Sequence, residues 1–588
     1  MNCKISVFEY LGQKIMFLPD VNYFFGIKND YDLKLGDYEL STKEILAIAK
    51  ENDPDEYEVF IKTSFEERLN KIRAYDIKEI KEESSYGQYT LCLHPSRKCN
   101  LNCKYCFKES EYLGNEQLSF KVAKDAIDFL VDKYAPCASK YVVDLSGSGE
   151  PLLQIKLVKQ IVDYCKKKRN DVCKNIEVMF CTNLTLLTPE IVDYLDNEPT
   201  IILGTSIDGD QLTNDNNRVY ANEKGTYDDI LKGLKLFKNK KLGFAVTITP
   251  LNQDVDCIYN HLYHLPSVDC ISMKFIRNYD GSKYDFNKFD ISYLISRYTE
   301  LCNCILKELK NDNFEYLKKI IQGADYFGGL ILGRLFKGTY KIHRCDAGKS
   351  RITVNDIGNI FACSVMYGNI DFRIGNIYRG IDSIKQSAFE MIPIESVKEC
   401  KECLVRNNCG GECYVNAYIR NNNLYEPIYN MCKISLELNK LCMSMIEKIK
   451  RESNSMFNKL VKFAFQVSRY EMTPIEVWAI MEYLKLKNIH VAYADVISYI
   501  ENRENIIVGV LNFLNQYDEA ISLNKISTID EINYPAIAIV NKVKSFSINF
   551  VVIIKNEKGL LTYKDYTLNN RKIDSVNFIR DLSDILIC

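Results

Sequence analysis

The sequence predicts an α/β fold built on a parallel sheet, and three observations carry that expectation. Between about residues 88 and 285, short β-like runs alternate with amphipathic helical stretches. Their spacing suits strand–crossover helix–strand units. The residues able to do chemistry fall just after the runs, at the strand C-termini where such folds place their sites. The strand-like segments are Tyr89–His94, Tyr141–Leu145, Ile176–Cys181, Ile201–Ile207, Gly243–Thr249 and Ile271–Ile276; helical stretches between them include Lys121–Lys133, Gln154–Lys168 and Tyr227–Lys238. Pattern alone leaves a doubly wound sheet and a partial barrel both open.

The flanking regions read differently. Residues 1–85 open with Ile5–Tyr10 and Lys14–Leu18, joined through Gly12 as a hairpin. Ser41-Thr-Lys-Glu44 then forms a capping box ahead of the apolar run Ile45–Ala49. Residues 286–340 look like a helical bridge, with Cys302 and Cys304 on different helix faces. Residues 341–450 are rich in cysteine, glycine and asparagine, a loop-dominated region expected to need metal to fold; the stretch Met431–Met445 within it reads as a core helix. Residues 456–588 have few cysteines, a helical pattern at Ile475–Leu486 and β-like runs at Ala536–Val540 and Phe550–Ile554. They read as a separate α/β domain.

Composition narrows the class. At 588 residues, with 47% hydrophobic and 26% charged, the chain can bury several cores. Its 76 Lys+Arg against 78 Asp+Glu leave a net charge of −2, which argues against a global grip on nucleic acid or anionic membrane. Apolar runs such as Ile548–Ile554, broken by Asn549, fall far short of the roughly 20 residues of a membrane span. The N-terminus lacks a signal-peptide layout, so a cytoplasmic location is expected. The unusual feature is 22 cysteines against five histidines and one tryptophan. A long chain without an export signal is not a disulfide scaffold, and no histidines stand at zinc-finger spacing. Cysteine-only zinc, iron–sulfur clusters and scattered buried thiols remain.

Cys99-Asn-Leu-Asn-Cys103-Lys-Tyr-Cys106 follows the first strand and has Cys-x3-Cys-x2-Cys spacing. Three thiolates suit a cubane with one iron left open, whereas an electron-carrying cluster normally has four; incidental thiols or three legs of a zinc site are the bland readings. Ser148-Gly149-Glu150-Pro151 follows the second strand, Ser206-Ile-Asp208-Gly209 the fourth, and Asn217-Arg218 comes after. Together, in this order, these segments resemble the radical S-adenosylmethionine (SAM) superfamily. The resemblance implies a partial (β/α)6 barrel in which Cys99, Cys103 and Cys106 hold a 4Fe–4S cluster. It implies that Tyr105 packs near the adenine and that Ser148, Gly149 and Glu150 replace the family's Gly-Gly-Glu turn at the SAM amino group. Ser206 and Asp208 match a ribose-facing segment, and Arg218 completes the cofactor-binding set. The chemistry implied is reductive cleavage of SAM to a 5′-deoxyadenosyl radical that takes hydrogen from an unactivated C–H, fed by a flavodoxin- or ferredoxin-type electron donor.

A second constellation comprises Cys345, Cys363, Cys400, Cys403, Cys409, Cys413 and Cys432. Two four-cysteine zinc sites are the sober alternative. The spacing resembles the SPASM auxiliary-cluster domain of radical SAM peptide maturases. By that resemblance Cys400, Cys403, Cys409 and Cys432 hold one auxiliary 4Fe–4S cluster, and Cys345, Cys363 and Cys413 the other. Two departures from the sulfatase-type maturases matter. Arg351 stands near the place of a fourth ligand, and Ser364 stands where those enzymes carry an aspartate proton acceptor.

The terminal modules complete the expectation. Residues 1–85 resemble a winged-helix-like leader-recognition element that pairs with a peptide by β-augmentation. Gln466-Val-Ser-Arg-Tyr-Glu-Met472-Thr-Pro474, Tyr534-Pro-Ala-Ile-Ala538 and Asn549-Phe-Val-Val-Ile553 resemble the papain-like leader peptidase of bacteriocin exporters, with Asp565 near the third-member position. Met472 occupies the nucleophile place and Asn549 the histidine place; neither a thioether nor an amide can do that work, so such a domain cannot cleave. The reading is a maturase of a leader-bearing ribosomal precursor peptide, forming a cysteine thioether crosslink of sactionine type. A sulfatase-type formylglycine maturase and a zinc-stabilised peptide-binding adaptor without turnover are the alternatives. No catalytic base is assignable.

Overall fold

The computed structural model describes residues 2–21, 23–54, 57–58, 88–106, 117–136, 138, 140–147, 149–277, 281–323, 325–337, 345–390, 397–411, 413–470 and 475–487, together with residue 514 and the segments 523–524, 536–541, 548–557, 560–564, 570–574 and 582–587. Its first module pairs four strands, β1 (Asn2–Tyr10), β2 (Gln13–Leu18), β3 (Tyr23–Ile27) and β4 (Gly36–Ser41), in the order β3-β2-β1-β4. The β1–β2 hairpin turns at Leu11 and Gly12, both with positive φ (53° and 70°), the pairing that a two-residue hairpin turn demands. The expected capping box is present: Ser41 caps the helix Thr42–Asn52, and Glu44 reaches back to the Ser41 N–H at 2.7 Å. Ile5, Met16, Phe25, Ile27, Ile45 and Ala49 make its core.

Among the described residues the central sheet has ten strands. β5 (Gln88–Cys92), β6 (Lys140–Asp144), β7 (Asn175–Thr182), β8 (Ile201–Ser206), β9 (Leu242–Ile248) and β10 (Val268–Phe275) run parallel in chain order. Helices Phe120–Asp128, Ile155–Val172, Pro189–Asn197, Gln211–Asn217, Tyr227–Leu234 and Val255–Tyr263 connect them, so all six expected strands and the three expected helices are present. The alternation on β7 and β9 shows why: Val178, Phe180, Phe244 and Val246 are buried, while Met179, Cys181, Ala245 and Thr247 are half-buried on the opposite face.

Beyond β5 the sheet does not end. β11 (Arg351–Val354) pairs parallel with β5, placing Arg351 opposite Thr90, and β12 (Asn359–Phe361), β13 (Arg373–Asn376) and β14 (Gly380–Ile381) follow antiparallel. The cysteine-rich region is therefore less loop-dominated than its composition suggests. It grows from the edge of the parallel sheet and continues into the 24-residue helix Tyr429–Glu452, where Met431, Met443 and Met445 are buried. The first module docks on this part of the chain through Lys4–Glu402 (2.7 Å), Arg406–Asp20 (2.8 Å) and Lys450–Asp53 (3.0 Å).

Between β10 and β11 lie helices Ile291–Lys310 and Phe314–Ile321, with Cys302 buried and Cys304 half-buried. The last region holds helices Asn454–Tyr470 and Ile475–Leu486 and a sheet of β15 (Leu523–Asn524), β16 (Ala536–Asn541), β17 (Ile548–Glu557), β18 (Leu560–Lys564), β19 (Asn570–Asp574) and β20 (Leu582–Ile587), ordered β15-β20-β16-β17-β18-β19. The helix Ile475–Leu486 and both β-like runs fall where expected. Met472 and Asp565 lie outside the described residues, as do the side chains of Gln466 and Asn549. No helix among the described residues is long and apolar enough to cross a membrane.

Candidate functional site

The loop from Leu93 to Cys106 leaves β5 and is held in both halves by neighbouring segments. Its distal half is clamped by backbone pairing with the segment after the helix Gln211–Asn217: Asn102 N–H donates to Val219 O (2.7 Å), and Lys104 N–H to Asn217 O (2.9 Å). Its proximal half is gripped by Glu150, whose N–H donates to Lys98 O at 2.9 Å. Gly149 makes this approach possible. Its φ is +89°, and a Cβ there would stand 2.5 Å from Ser96 O and 2.6 Å from Lys98 O, so only glycine fits. Ser148, expected beside it, lies outside the described residues.

Within this loop Cys99 and Cys103 are half-buried and Cys106 is exposed. Burial pushes the Cys103 thiol up to about 11, the nearby Arg218 pulls it down, and Asp208, Cys106 and Cys99 push it further. The three sulfurs thus share one electrostatic field beside a fixed cation. Asn183 Nδ2 donates to Asn100 Oδ1 (2.9 Å) and lies 3.9 Å from Cys99 Sγ. Among the described residues, no three His, Cys, Asp or Glu side chains converge tightly enough for a single metal ion. Between Cys99 and Cys106 the donor set is nevertheless all sulfur, with no histidine or carboxylate in that stretch, which fits a thiolate-held iron–sulfur cluster.

Glu150 is 2% exposed, and its carboxylate is fully engaged within the protein. Oε1 accepts from Thr182 Oγ1 (2.7 Å) and Leu152 N–H (3.1 Å), and Oε2 from Asn183 N–H (2.9 Å). Burial raises its pKa, and these three donors oppose the rise. Glu150 therefore ties the end of β7 to the cysteine loop. Asp208 is likewise internal, fully buried in an ion pair with Arg218 (Nε–Oδ2 3.0 Å). It also accepts from Tyr105 Oη (2.8 Å) and Thr247 N–H (2.9 Å). Arg218 in turn lies over the Tyr105 ring, 5.4 Å from its centroid. Tyr105, Asp208 and Arg218 thus form one network under the loop. Ser206 is half-buried at the end of β8, opposite Ala245.

Some of the auxiliary cysteines lie near one another. Cys363 is pushed up to about 12 by burial, and the Cys413 and Cys345 thiols add to the rise, so the structure brings these three together. Burial raises the Cys403 thiol, the Cys409 thiol adds to that rise, and Cys403 N–H donates to Cys400 O (3.0 Å). Cys432 opens the long helix Tyr429–Glu452. Arg351 is directed to the parallel sheet, where its Nη1 contacts Asp144 Oδ2 (3.1 Å) and Cys92 Sγ (3.3 Å). His94 stacks on Tyr367 (4.7 Å, 16°), and Arg97 lies over the same ring, as packing residues would. The motif reading misses Thr182, Asn183 and Thr247. The signal that could have found them is position, since all three stand at or just beyond a strand end.

Residues 93–262 match the model of the radical SAM superfamily. The chain carries a radical SAM domain. An uncharacterised protein of Methanocaldococcus jannaschii is 33% identical over 189 residues, covering 32% of this chain and 62% of that protein, so the match spans less than two thirds of its relative. The radical SAM cyclopropyl synthase TigE of Paramaledivibacter caminithermalis is 25% identical over 380 residues, 61% of this chain and 73% of its own length. A cysteine-type anaerobic sulfatase-maturating enzyme of Clostridium perfringens is 22% identical over 328 residues, 54% of this chain and 86% of its own length. Among solved structures, AdoMet-bound anSMEcpe superposes with a TM-score of 0.52 at 16% identity, over 64% of this chain and 98% of that one, a likeness of fold.

Proposed function

We propose that this chain is a radical SAM enzyme that modifies a residue within a peptide or protein substrate. The observation that carries the reading is the Cys99–Cys106 loop, three thiols in one field, pinned by Gly149–Glu150 on one side and the Tyr105–Asp208–Arg218 network on the other. Cys99, Cys103 and Cys106 would hold a 4Fe–4S cluster, and the groupings Cys345/Cys363/Cys413 and Cys400/Cys403/Cys409/Cys432 two auxiliary ones. When bound, the cluster and SAM supply hydrogen-atom abstraction from unactivated carbon. The chain's own residues orient and enclose: Glu150 fixes the loop to β7, and Arg218 sets a positive charge beside Cys103.

Two finer readings divide on separate observations. The sulfatase-maturating relative, matched over most of its length, favours conversion of a cysteine to formylglycine. Ser364 in place of an aspartate, and the two additional terminal regions, favour a leader-bearing ribosomal precursor and a thioether crosslink. Anaerobically reconstituted protein, reduced in the presence of SAM, should release 5′-deoxyadenosine. Mass spectrometry then separates the readings. A cysteine peptide of sulfatase type that gains an aldehyde supports the first. A co-expressed precursor that loses two hydrogens per crosslink supports the second. Zinc in place of iron, with no nucleoside released, would overturn both.

A further inference from the structure

After the helix Phe314–Ile321 the chain reads Asp325-Tyr-Phe-Gly-Gly-Leu-Ile-Leu332, and Tyr326–Leu332 winds into a short π-helix. Leu330 N–H donates to Asp325 O (3.0 Å), five residues back, in a form that recurs at functional sites. Asp325 fixes its start. This carboxylate is buried; Oδ1 accepts from Gly328 N–H, and Oδ2 from Met273 N–H (3.0 Å) on β10. The turn is thereby tied to the parallel sheet. A Cβ at Gly328 would run into Ile320 O, so it also lies tight against the preceding helix.

Tyr326 leaves this anchored turn towards the auxiliary region. On one side its ring meets Phe275 (centroids 6.2 Å, 61°), which Phe286 and Phe289 in turn hold edge-on. On the other its hydroxyl stands 3.5 Å from Cys409 Sγ, within reach of a hydrogen bond to sulfur. The helix continues as Gly333–Lys337, and Arg334 approaches the same cysteine. Its Nη1 donates to Asn408 O (2.6 Å), the carbonyl just before Cys409. Burial lowers the Arg334 pKa, and the Cys409 thiol is the first group to oppose that fall, with Tyr326 next. One helical segment thus brings a phenol and a guanidinium to one ligand-type sulfur.

We infer that Tyr326, with Arg334 behind it, sets the reduction potential of the iron–sulfur cluster held by Cys400, Cys403, Cys409 and Cys432. The inference rests on the auxiliary-cluster reading proposed above; four thiols are the donor set such a cluster takes. With a free thiol, either atom of the Tyr326–Cys409 contact can donate, and Cys409 Sγ also reaches Gly411 O at 3.3 Å, a contact only a thiol makes. A sulfur bound to iron carries no proton, so it must accept and the phenol must donate. Reduction adds one electron and breaks no bond, and the added negative charge spreads onto the thiolates. A hydrogen bond and a fixed cation at one of them favour the reduced form, so both raise the potential. Tyr326 and Arg334 act as positioning residues: they act on a ligand sulfur, not on the substrate.

An anaerobic potentiometric titration with dithionite, read by electron paramagnetic resonance, tests this on the full chain carrying Cys99→Ala, Cys103→Ala and Cys106→Ala, which keeps only the auxiliary clusters. Adding Tyr326→Phe should shift the one-electron equilibrium of one cluster about tenfold towards its oxidised form, ~59 mV downwards, with the iron content unchanged. The other cluster should stay where it was. Arg334→Gln should move the same signal in the same direction. Tyr298→Phe is the control: its buried hydroxyl has no hydrogen-bond partner among the described residues, and its ring packs on Phe327 of the same turn (5.1 Å), so neither signal should move. An unmoved potential in Tyr326→Phe or Arg334→Gln, an upward shift, or an equal shift in Tyr298→Phe would overturn the inference. Zinc in place of iron, or no reducible cluster in the parent protein, would sink the auxiliary-cluster reading and the inference with it. Reducible clusters whose potentials ignore Tyr326→Phe would sink the inference alone.

Discussion

The loop Cys99–Cys106 hangs from the ends of a parallel sheet, whereas Cys400, Cys403, Cys409 and Cys413 sit on or beside the four-residue helices Lys398–Lys401 and Arg406–Cys409. Backbone pairs to Val219 and Asn217 and the buried Glu150 fix the first loop whether or not anything is bound. Single helical turns of the second region lie far below the length at which helices persist unaided. The difference teaches where order comes from: one site is built by the sheet, and on the function proposed above the other would draw its order from what its thiolates bind.

The largest effect that sharpens this contrast is chemical. Replacing Cys99, Cys103 and Cys106 together with Ala should abolish release of 5′-deoxyadenosine and lower the iron content by about four atoms per chain, one cubane. The unfolding midpoint should move little, because Glu150 and the backbone clamps remain. Removing iron with a chelator tests the other side. Hydrogen exchange should accelerate through residues 397–413 and much less in β5–β10; uniform acceleration would show that the sheet, too, depends on metal.

The next effect in size lies beneath the first site. Asp208→Asn strips the partner from a buried guanidinium, a change that costs on the order of 3 kcal/mol. Chemical denaturation should show that loss with the m-value unchanged. A loss near zero would mean that the Asp208–Arg218 pair (3.0 Å) is satisfied by solvent.

His94 supplies a pH test of comparable size. Burial lowers its pKa from 6.5 to about 4. Between those values the unfolded chain binds a proton that the folded chain refuses, so this residue's contribution to stability is intact above pH 6.5 and falls as pH drops towards 4. The total swing is about 3 kcal/mol. His94→Gln removes it, so the difference in unfolding free energy between wild type and variant should change across pH 4–7; a constant difference would mean that His94 titrates normally.

What the sequence revealed divides along physical lines. The six parallel strands were legible because each is a short apolar run flanked by polar turns, and the helix cap at Ser41 because its signature is local. The motif cysteines were legible because ligand spacing is written in sequence. Pairings between distant segments were not. Nothing near Arg351–Val354 announces that it joins β5, some 260 residues earlier, as the seam between the parallel sheet and the auxiliary region. The burial of Asp208 and the full engagement of Glu150 depend on Arg218, Thr182 and Asn183, which arrive from other segments of the chain.

The smallest effect is the most pointed for the sheet-built site. Tyr105 sits between two of the first loop's thiols, and its hydroxyl donates to Asp208 Oδ2 at 2.8 Å while its ring lies under Arg218. Tyr105→Phe keeps the ring and removes one hydrogen bond, a change worth about 1 kcal/mol. The carboxylate still holds Arg218 and the Thr247 N–H, so the network should survive and stability should fall only by that amount. If the network is what holds Cys103 in place, release of 5′-deoxyadenosine should persist in Tyr105→Phe and fall in Asp208→Asn. Equal losses in both variants would instead make the phenol itself a contact of the cofactor, and the buried pair beneath it only a support.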